Sequence, residues 1–255
     1  MLAACDLRKS YGSVTALDGV SLDLHPGDSL AIVGESGSGK STLLRCLAWL
    51  EQPGGGYVRF EGAPVMELDT TGRREFRRRV QLMLQDAAQA LNPRWRALAL
   101  VREPLDLLRP DLDATARETL ARRCMERVAL PDWAADRLPG EFSGGQRQRI
   151  LLARAIVLDP SVLLLDEPFA GLDPPVQGEL LALLRHLRAE RQMATAFVTH
   201  DPGLAAAVAD KIAVFGRGRI VEHGPTAGLL AQPVHPTTRL LVACHKARLF
   251  GGGSP

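Results

Sequence analysis

Four short apolar runs in this 255-residue chain each stop at a polar loop. They lie at residues 29–33, 80–84, 162–165 and 194–199. Continuous apolar runs of this length are typical of strands buried on both faces, and the helical stretches between them indicate parallel crossovers. Because ligands collect at the carboxyl ends of parallel strands, we expect the polar loops to meet at one edge of a sheet. The pattern predicts an α/β fold.

The loop after the first run carries the most specific motif. Residues 34–42 read Gly-Glu-Ser-Gly-Ser-Gly-Lys-Ser-Thr and are followed by an apolar helical stretch. A Gly-x-x-x-x-Gly-Lys-Ser pattern between a strand and a helix predicts a loop whose backbone N–H groups wrap phosphate oxygens. We expect Lys40 to contact the β- and γ-phosphates, and Ser41 to ligate Mg²⁺. The predicted nucleotide-binding residues in this loop are Gly34, Glu35, Ser36, Gly37, Ser38, Gly39, Lys40, Ser41 and Thr42.

Polar side chains follow the other three runs. Asp166 is placed to hold the metal, and Glu167 to orient or deprotonate the water that attacks the γ-phosphate. The alternative is that both carboxylates only fix the turn before a proline. Because His200 directly follows the run at 194–199, we expect it to contact the γ-phosphate. The alternative is a structural role, which is common for a lone histidine. We expect Gln85 to ligate Mg²⁺ through its amide oxygen and to signal the presence of the ligand to the segment that follows. The alternative is that its side chain only caps the backbone.

A second stretch resembles a phosphate-binding helix start. Residues 140–149 read Gly-Glu-Phe-Ser-Gly-Gly-Gln-Arg-Gln-Arg. The small residues Ser143, Gly144 and Gly145 let a ligand approach the backbone, and a helix starting near Gln146 would turn its N–H groups toward an anion. Since the helix start from Ser143 has neither a lysine nor a carboxylate, it cannot run phosphate chemistry alone.

The composition limits the partners. A net charge of +2 is too small to indicate nucleic-acid binding, and 46% hydrophobic residues is typical of a globular domain. No apolar run approaches the ~18–20 residues that span a bilayer. We therefore expect a cytoplasmic protein whose work at a membrane requires other subunits.

The order of the phosphate loop, Gln85, Ser143-Gly144-Gly145-Gln146, Asp166-Glu167 and His200 resembles the ATP-binding subunits of ABC transporters. The resemblance implies a phosphate-loop NTPase core with a mostly parallel sheet, a small antiparallel β subdomain and an inserted helical subdomain. It implies ATP and Mg²⁺ as ligands.

The resemblance also gives roles to residues outside those loops. Tyr11 matches the aromatic residue on which adenine stacks, and Asp173 matches the aspartate of the dimer loop. In such proteins the Ser-Gly-Gly-Gln signature closes over the γ-phosphate held by the opposite ATPase subunit, so that two chains enclose two nucleotides. The second ATPase is a different chain or a copy of this one.

A narrower resemblance lies in Leu-Gln-Asp at 84–86, Leu-Asn-Pro-Arg at 91–94 and His-Pro-Thr-Thr-Arg at 235–239. These segments are similar to the second of the paired ATPases in oligopeptide, dipeptide and nickel importers. The likeness implies two membrane permeases, an extracytoplasmic binding protein, and a peripheral location at the cytoplasmic face of the inner or plasma membrane. Peptide and metal-chelate cargo both stay open. The alternative is a non-transport ATPase in a metabolic assembly such as phosphonate degradation.

Changes of pattern along the chain predict its subdivision within one ABC ATPase domain, 1–255. Residues 1–85 and 157–225 form the nucleotide-binding core with the β subdomain, 86–156 the helical subdomain, and 226–255 a helical segment with a flexible tail. A candidate permease dock covers about 86–100 and includes Trp95. The alternative places the Trp95 ring in the core.

Overall fold

The computed structural model describes residues 1–84 and 91–251, with the backbone alone for 245–251. Its contacts divide the chain into two compact units. The first unit is Met1–Leu68 with Ala194–Pro255, and the second unit is Asp69–Met193. The predicted division into a nucleotide-binding core, a helical subdomain and a C-terminal segment has different boundaries and remains a prediction.

The strands and α-helices of the described residues follow in chain order. They are β1 (Leu2–Tyr11), β2 (Val14–Leu24), β3 (Ser29–Gly34), α1 (Lys40–Leu47), β4 (Gly55–Phe60), β5 (Ala63–Pro64), α2 (Thr70–Arg79), β6 (Val80–Met83), α3 (Ala97–Leu108), α4 (Ala114–Arg127), α5 (Gly144–Ile156), β7 (Val162–Asp166), α6 (Pro174–Arg191), β8 (Ala194–Thr199), α7 (Pro202–Val208), β9 (Lys211–Gly216), β10 (Arg219–Pro225), α8 (Thr226–Ala231) and α9 (Pro236–Gly251). Short 3₁₀ helices cover Val65–Glu67, Asp132–Asp136 and Pro139–Glu141.

The mostly parallel sheet of the first unit is centred on β3. This strand pairs in parallel with β8 on one side and β9 on the other, and β10 returns beside β9 as an antiparallel hairpin. Every residue of β3 and β8 is buried, as expected for strands covered on both faces. Two of the four predicted apolar strands are therefore confirmed.

A separate antiparallel sheet in the first unit has the order β2, β1, β4, β5. Along β2 the residues alternate between buried and more exposed positions toward the carboxyl end, which gives the sheet one apolar face. This is the small antiparallel sheet that the family resemblance implies.

The second unit combines one parallel strand pair with helices. Strands β6 and β7 pair in register from Val80 opposite Val162 to Met83 opposite Leu165. Aspartate side chains cap the N-termini of two helices. Asp69 accepts a hydrogen bond from the Gly72 N–H at 2.7 Å at the start of α2, and Asp113 caps α4 in the same way. The predicted strands at 80 and 162 are confirmed, and the described elements between them are helices.

In the part of the chain that the structure describes, no helix is both long enough and apolar enough to cross a bilayer.

Candidate functional site

The phosphate loop joins β3 to α1, as its sequence predicts. Gly39 precedes α1 in the left-handed region at φ 106°, where residues with a side chain are strained. A Cβ atom at this position would also run into the backbone carbonyl of Ala16. The motif glycine is therefore required by both its backbone angle and the approach of a neighbouring chain segment.

Lys40 turns its ammonium group into the loop. Only 6% of the residue is exposed, and Nζ donates to the backbone oxygens of Gly34 at 2.9 Å and Glu35 at 2.6 Å. The Ser38 hydroxyl accepts a longer bond from Nζ at 3.4 Å. These acceptors are uncharged oxygens, so phosphate oxygens entering the loop would be stronger partners for the same ammonium group.

His200 lies at the same edge of the sheet as the phosphate loop. Strands β3 and β8 run in parallel with Val33 opposite Thr199, so the residue after β8 stands beside the start of the loop after β3. The His200 side chain is exposed at this edge. The first unit thus brings together two of the predicted site regions.

The two predicted acidic residues end strand β7 in the second unit. Asp166 is its last residue and is only 2% exposed, whereas Glu167 follows at a positive φ of 47°. A non-glycine residue in the left-handed region costs about 1–2 kcal/mol and commonly marks a functional position. Gln85 follows β6, the strand beside β7, but lies outside the described residues.

The loop from Glu167 to Asp173 is closed by a glutamine that sequence reasoning missed. The side-chain amide of Gln177 donates to the backbone oxygens of Phe169 at 3.3 Å and Leu172 at 2.9 Å. Asp173 precedes α6 without a side-chain capping bond and is exposed. Its carboxylate is thus accessible at the surface of this unit.

The signature stretch begins helix α5 through a reciprocal cap. The Ser143 hydroxyl accepts a hydrogen bond from the Gln146 N–H at 3.3 Å, and the Gln146 side-chain oxygen accepts one from the Ser143 N–H at 3.0 Å. This capping box starts the helix at Gly144, two residues before the predicted start at Gln146. Ser143 and Gly144 are exposed, which leaves the helix start accessible.

Gly145 packs closely against helix α6. A Cβ atom built on Gly145 would lie 2.6 Å from the Val176 Cγ1 atom, and one on Gly144 would lie 4.0 Å from Leu172 Cδ2. Real Cβ atoms essentially never approach other atoms to 2.6 Å, so a side chain at 145 would force the half-buried Val176 to shift. Val176 thereby connects the signature to the loop that carries Asp173.

We expect Gly145→Ala to lower the free energy of unfolding by about 1–3 kcal/mol, because the new methyl group overpacks this contact. Adding Val176→Ala should restore most of the lost free energy of unfolding, since alanine at this half-buried position lacks the methyl group that the new side chain meets. Thermal and denaturant unfolding measure both effects.

Gly178→Ala is the matched control, because a Cβ atom at Gly178 in α6 meets nothing within 4 Å. It should leave stability unchanged or raise it by about 0.4–1 kcal/mol. Equal losses for Gly145→Ala with and without Val176→Ala would show that the contact does not explain the glycine.

Tyr11, the predicted adenine-stacking residue, ends strand β1 and is 45% exposed. Its hydroxyl donates a hydrogen bond to the Glu51 carboxylate. Burial and this bond raise the pKa of the Tyr11 hydroxyl above its usual value. Sequence reasoning missed Glu51, because the two residues stand forty positions apart and no motif includes the glutamate.

The oxygen ligands that Mg²⁺ prefers are present among the predicted residues. Ser41 is the second residue of α1, and Asp166 supplies a buried carboxylate at the end of β7. Hydroxyl and carboxylate oxygens suit a hard cation that also keeps phosphate oxygens and waters as ligands. The donor chemistry of the chain therefore fits magnesium.

Comparisons with known proteins give one consistent family. The chain matches the ABC transporter family over residues 17–170. It is 44% identical to the nickel import ATP-binding protein NikE of Brucella suis biovar 1, with 89% of this chain and 85% of that protein covered. Against the dipeptide transport ATP-binding protein DppF of Escherichia coli K12 the identity is 38%, over 95% of this chain and 75% of that protein.

Solved structures agree with this assignment. A dimeric structure of MJ0796, a bacterial ABC transporter cassette, superimposes with a TM-score of 0.80 at 29% identity over 89% of this chain and 99% of that one. A second structure of MJ0796, in a post-hydrolysis state with ADP and Pi bound, matches equally well. The family match spans both the phosphate loop and the Asp166–Glu167 pair. The chain belongs to the ABC transporter family and is an ATP-binding subunit with ATPase activity.

Proposed function

We propose that this chain powers an ABC importer for nickel, another metal chelate or peptides. The observation that carries the proposal is its similarity to NikE and DppF over most of all three chains. In this function it acts at the cytoplasmic face of the membrane with a second ATPase chain, two permeases and an extracytoplasmic binding protein.

Each of the predicted site residues has its own role in ATP binding or hydrolysis. Tyr11 stacks on the adenine, while Lys40 and the loop N–H groups hold the phosphates. Glu167 accepts a proton from the attacking water, and His200 holds the γ-phosphate from the adjacent strand end. The buried position of Lys40 supports its role, because backbone oxygens hold its ammonium group in the loop before the nucleotide arrives.

Magnesium, when bound, neutralises charge on the phosphate oxygens. Ser41, Asp166 and Gln85 would hold it. The signature residues Ser143, Gly144, Gly145 and Gln146 act on the nucleotide of the opposite subunit, and Asp173 lies at the dimer contact. The exposed helix start at Ser143 supports this assignment, because the N–H groups of Gly144 and Gly145, which the capping box does not use, can meet an anion held by another chain.

A cavity and several exposed apolar side chains in the second unit support a contact with a permease. A cavity of about 190 Å³ lies between β6, α3 and α5, and exposed Leu84 and Leu107 belong to its lining. The Trp95 residue is 41% exposed, so the alternative that its ring is packed in the core is wrong. We propose that a permease segment covers these apolar side chains.

Uptake in a strain that lacks this gene tests the function. We expect loss of radiolabelled nickel or dipeptide uptake, restored by the wild-type gene but not by Lys40→Ala, which removes the phosphate-binding ammonium group. Trp95→Glu should fail to restore uptake although the purified variant binds ATP normally. If neither cargo depends on the gene, the proposed cargo classes are wrong and the metabolic-assembly alternative gains support.

A further inference from the structure

The end of strand β1 and the segment after helix α1 form a small polar cluster. Tyr11 and Lys9 lie two positions apart on β1, and their side chains therefore point to the same face of the strand. Glu51 follows the carboxyl end of α1, the helix whose first turn carries Lys40 and Ser41. All of these residues belong to the first unit.

The Glu51 carboxylate is the centre of this cluster. It accepts the hydrogen bond of the Tyr11 hydroxyl, while Arg45 Nη1 lies 3.4 Å from Oε1 and Lys9 Nζ lies 3.9 Å from Oε2. Two cations and one phenol hydroxyl thus converge on a single carboxylate. A carboxylate accepts a stronger hydrogen bond from a phenol than an uncharged oxygen does.

The backbone around Glu51 is fixed as well. The N–H groups of Leu50 and Glu51 donate to the Arg45 carbonyl at 2.9 and 3.2 Å, and Lys9 Nζ donates to the Gln52 carbonyl at 2.8 Å. The carboxylate is therefore held in place from α1 and from β1. A phenol bonded to it has little freedom to rotate.

The Tyr11 ring has two different faces in this arrangement. Lys9 Nζ stands over the ring, 5.5 Å from its centre, so a stacking base would use the opposite face. Almost half of the residue is exposed.

We propose that Glu51 is a positioning residue that orients the Tyr11 ring for the nucleotide base. The inference rests on the proposed role of Tyr11 in ATP binding. Because the phenol hydroxyl is anchored before the base arrives, less side-chain freedom is lost on binding. Preorganisation of this size corresponds to about a three- to tenfold gain in affinity. Glu51 also ties the base-binding strand to the helix that begins at the phosphate loop.

The test compares two ligands on the purified full-length chain, ATP and inorganic tripolyphosphate, which lacks a base. We expect Glu51→Ala and Tyr11→Phe each to weaken ATP binding about three- to tenfold and to leave tripolyphosphate binding unchanged. The double variant should be no weaker than Tyr11→Phe alone, since both changes remove the hydrogen bond between Tyr11 and Glu51. Glu118→Ala, which breaks an exposed ion pair with Arg122 in helix α4, is the matched control and should change neither affinity.

A spectroscopic measurement accompanies the affinities. The chain contains two tyrosines, Tyr11 and Tyr57, so tyrosinate absorbance on alkaline titration can be assigned with Tyr11→Phe. Glu51→Gln should lower the pKa of Tyr11 toward its usual value, because the charged acceptor is lost. A general loss of stability would not move this titration selectively.

Three results would overturn the proposal: an unchanged ATP affinity in Glu51→Ala, equal weakening of ATP and tripolyphosphate, or additive losses in the double variant. Tyr11→Ala tests separately whether the Tyr11 ring stacks on the base at all. If that variant does not weaken ATP more than tripolyphosphate, the stacking assignment itself is wrong.

Discussion

Replacing Glu167 by Gln is expected to stop ATP hydrolysis while leaving ATP binding intact. The amide keeps the size of the side chain and fits the same backbone position at φ 47°, but it cannot accept the proton of the attacking water. A general base contributes about 10²–10⁴ to the rate, so turnover should fall by at least about a hundredfold. Phosphate release by the purified chain and equilibrium binding of labelled ATP measure the two quantities.

Glu179→Gln is the matched control for this change. Glu179 lies in helix α6 of the same unit, and its side chain, 65% exposed, pairs with the largely buried Arg149. The glutamine keeps an oxygen that can accept from Arg149, so hydrolysis should remain near that of the wild type. Wild-type turnover in Glu167→Gln would contradict the assignment of the base.

Replacing Ser143 by Arg should abolish hydrolysis without loss of ATP binding to the same chain. A long cationic side chain at the exposed start of α5 blocks close approach by a phosphate held on another subunit, whereas the phosphate loop is left unchanged. We expect a loss of at least about a hundredfold in turnover, comparable with removal of preorganised donors from a transition state. ATPase rate and ATP affinity are measured on the same preparation.

Ser143→Asp separates this effect from unfolding of the helix start. Aspartate keeps the side-chain oxygen that caps α5, and a negative charge at a helix N-terminus is favourable. The variant should therefore retain the wild-type free energy of unfolding but lose hydrolysis, because its carboxylate repels the incoming phosphate. If a folded Ser143→Asp chain fails to bind ATP, the stretch belongs to the site of its own chain.

Sequence reasoning predicted those parts of the fold that local pattern controls. The buried strands at 29–33, 162–165 and 194–199 were predictable because continuous apolar runs suit strands covered on both faces. The strand ends at Gly34 and Thr199 could be placed together, since parallel strands share an edge. The start of α5 was predicted two residues late, although Ser143 and Gln146 have the spacing of a capping box.

Other features depend on contacts between distant segments and were not predictable. The bond between Tyr11 and Glu51 and the packing of Gly145 against Val176 arise only when separate elements meet. The positive φ of Glu167 is equally hidden, because no residue type marks it; glutamate is not favoured in that region. Long-range packing, rather than local preference, decides these positions.

The central claim, that the chain holds half of each active site, is tested most directly by mixing two inactive variants. Ser143→Arg keeps the phosphate loop, and Lys40→Ala keeps the signature. At concentrations where the wild-type chain hydrolyses ATP by itself, a mixed dimer contains one intact composite site. Random pairing of equal amounts should then restore about a quarter of the wild-type ATPase rate. A mixture of folded variants that remains inactive would contradict the claim.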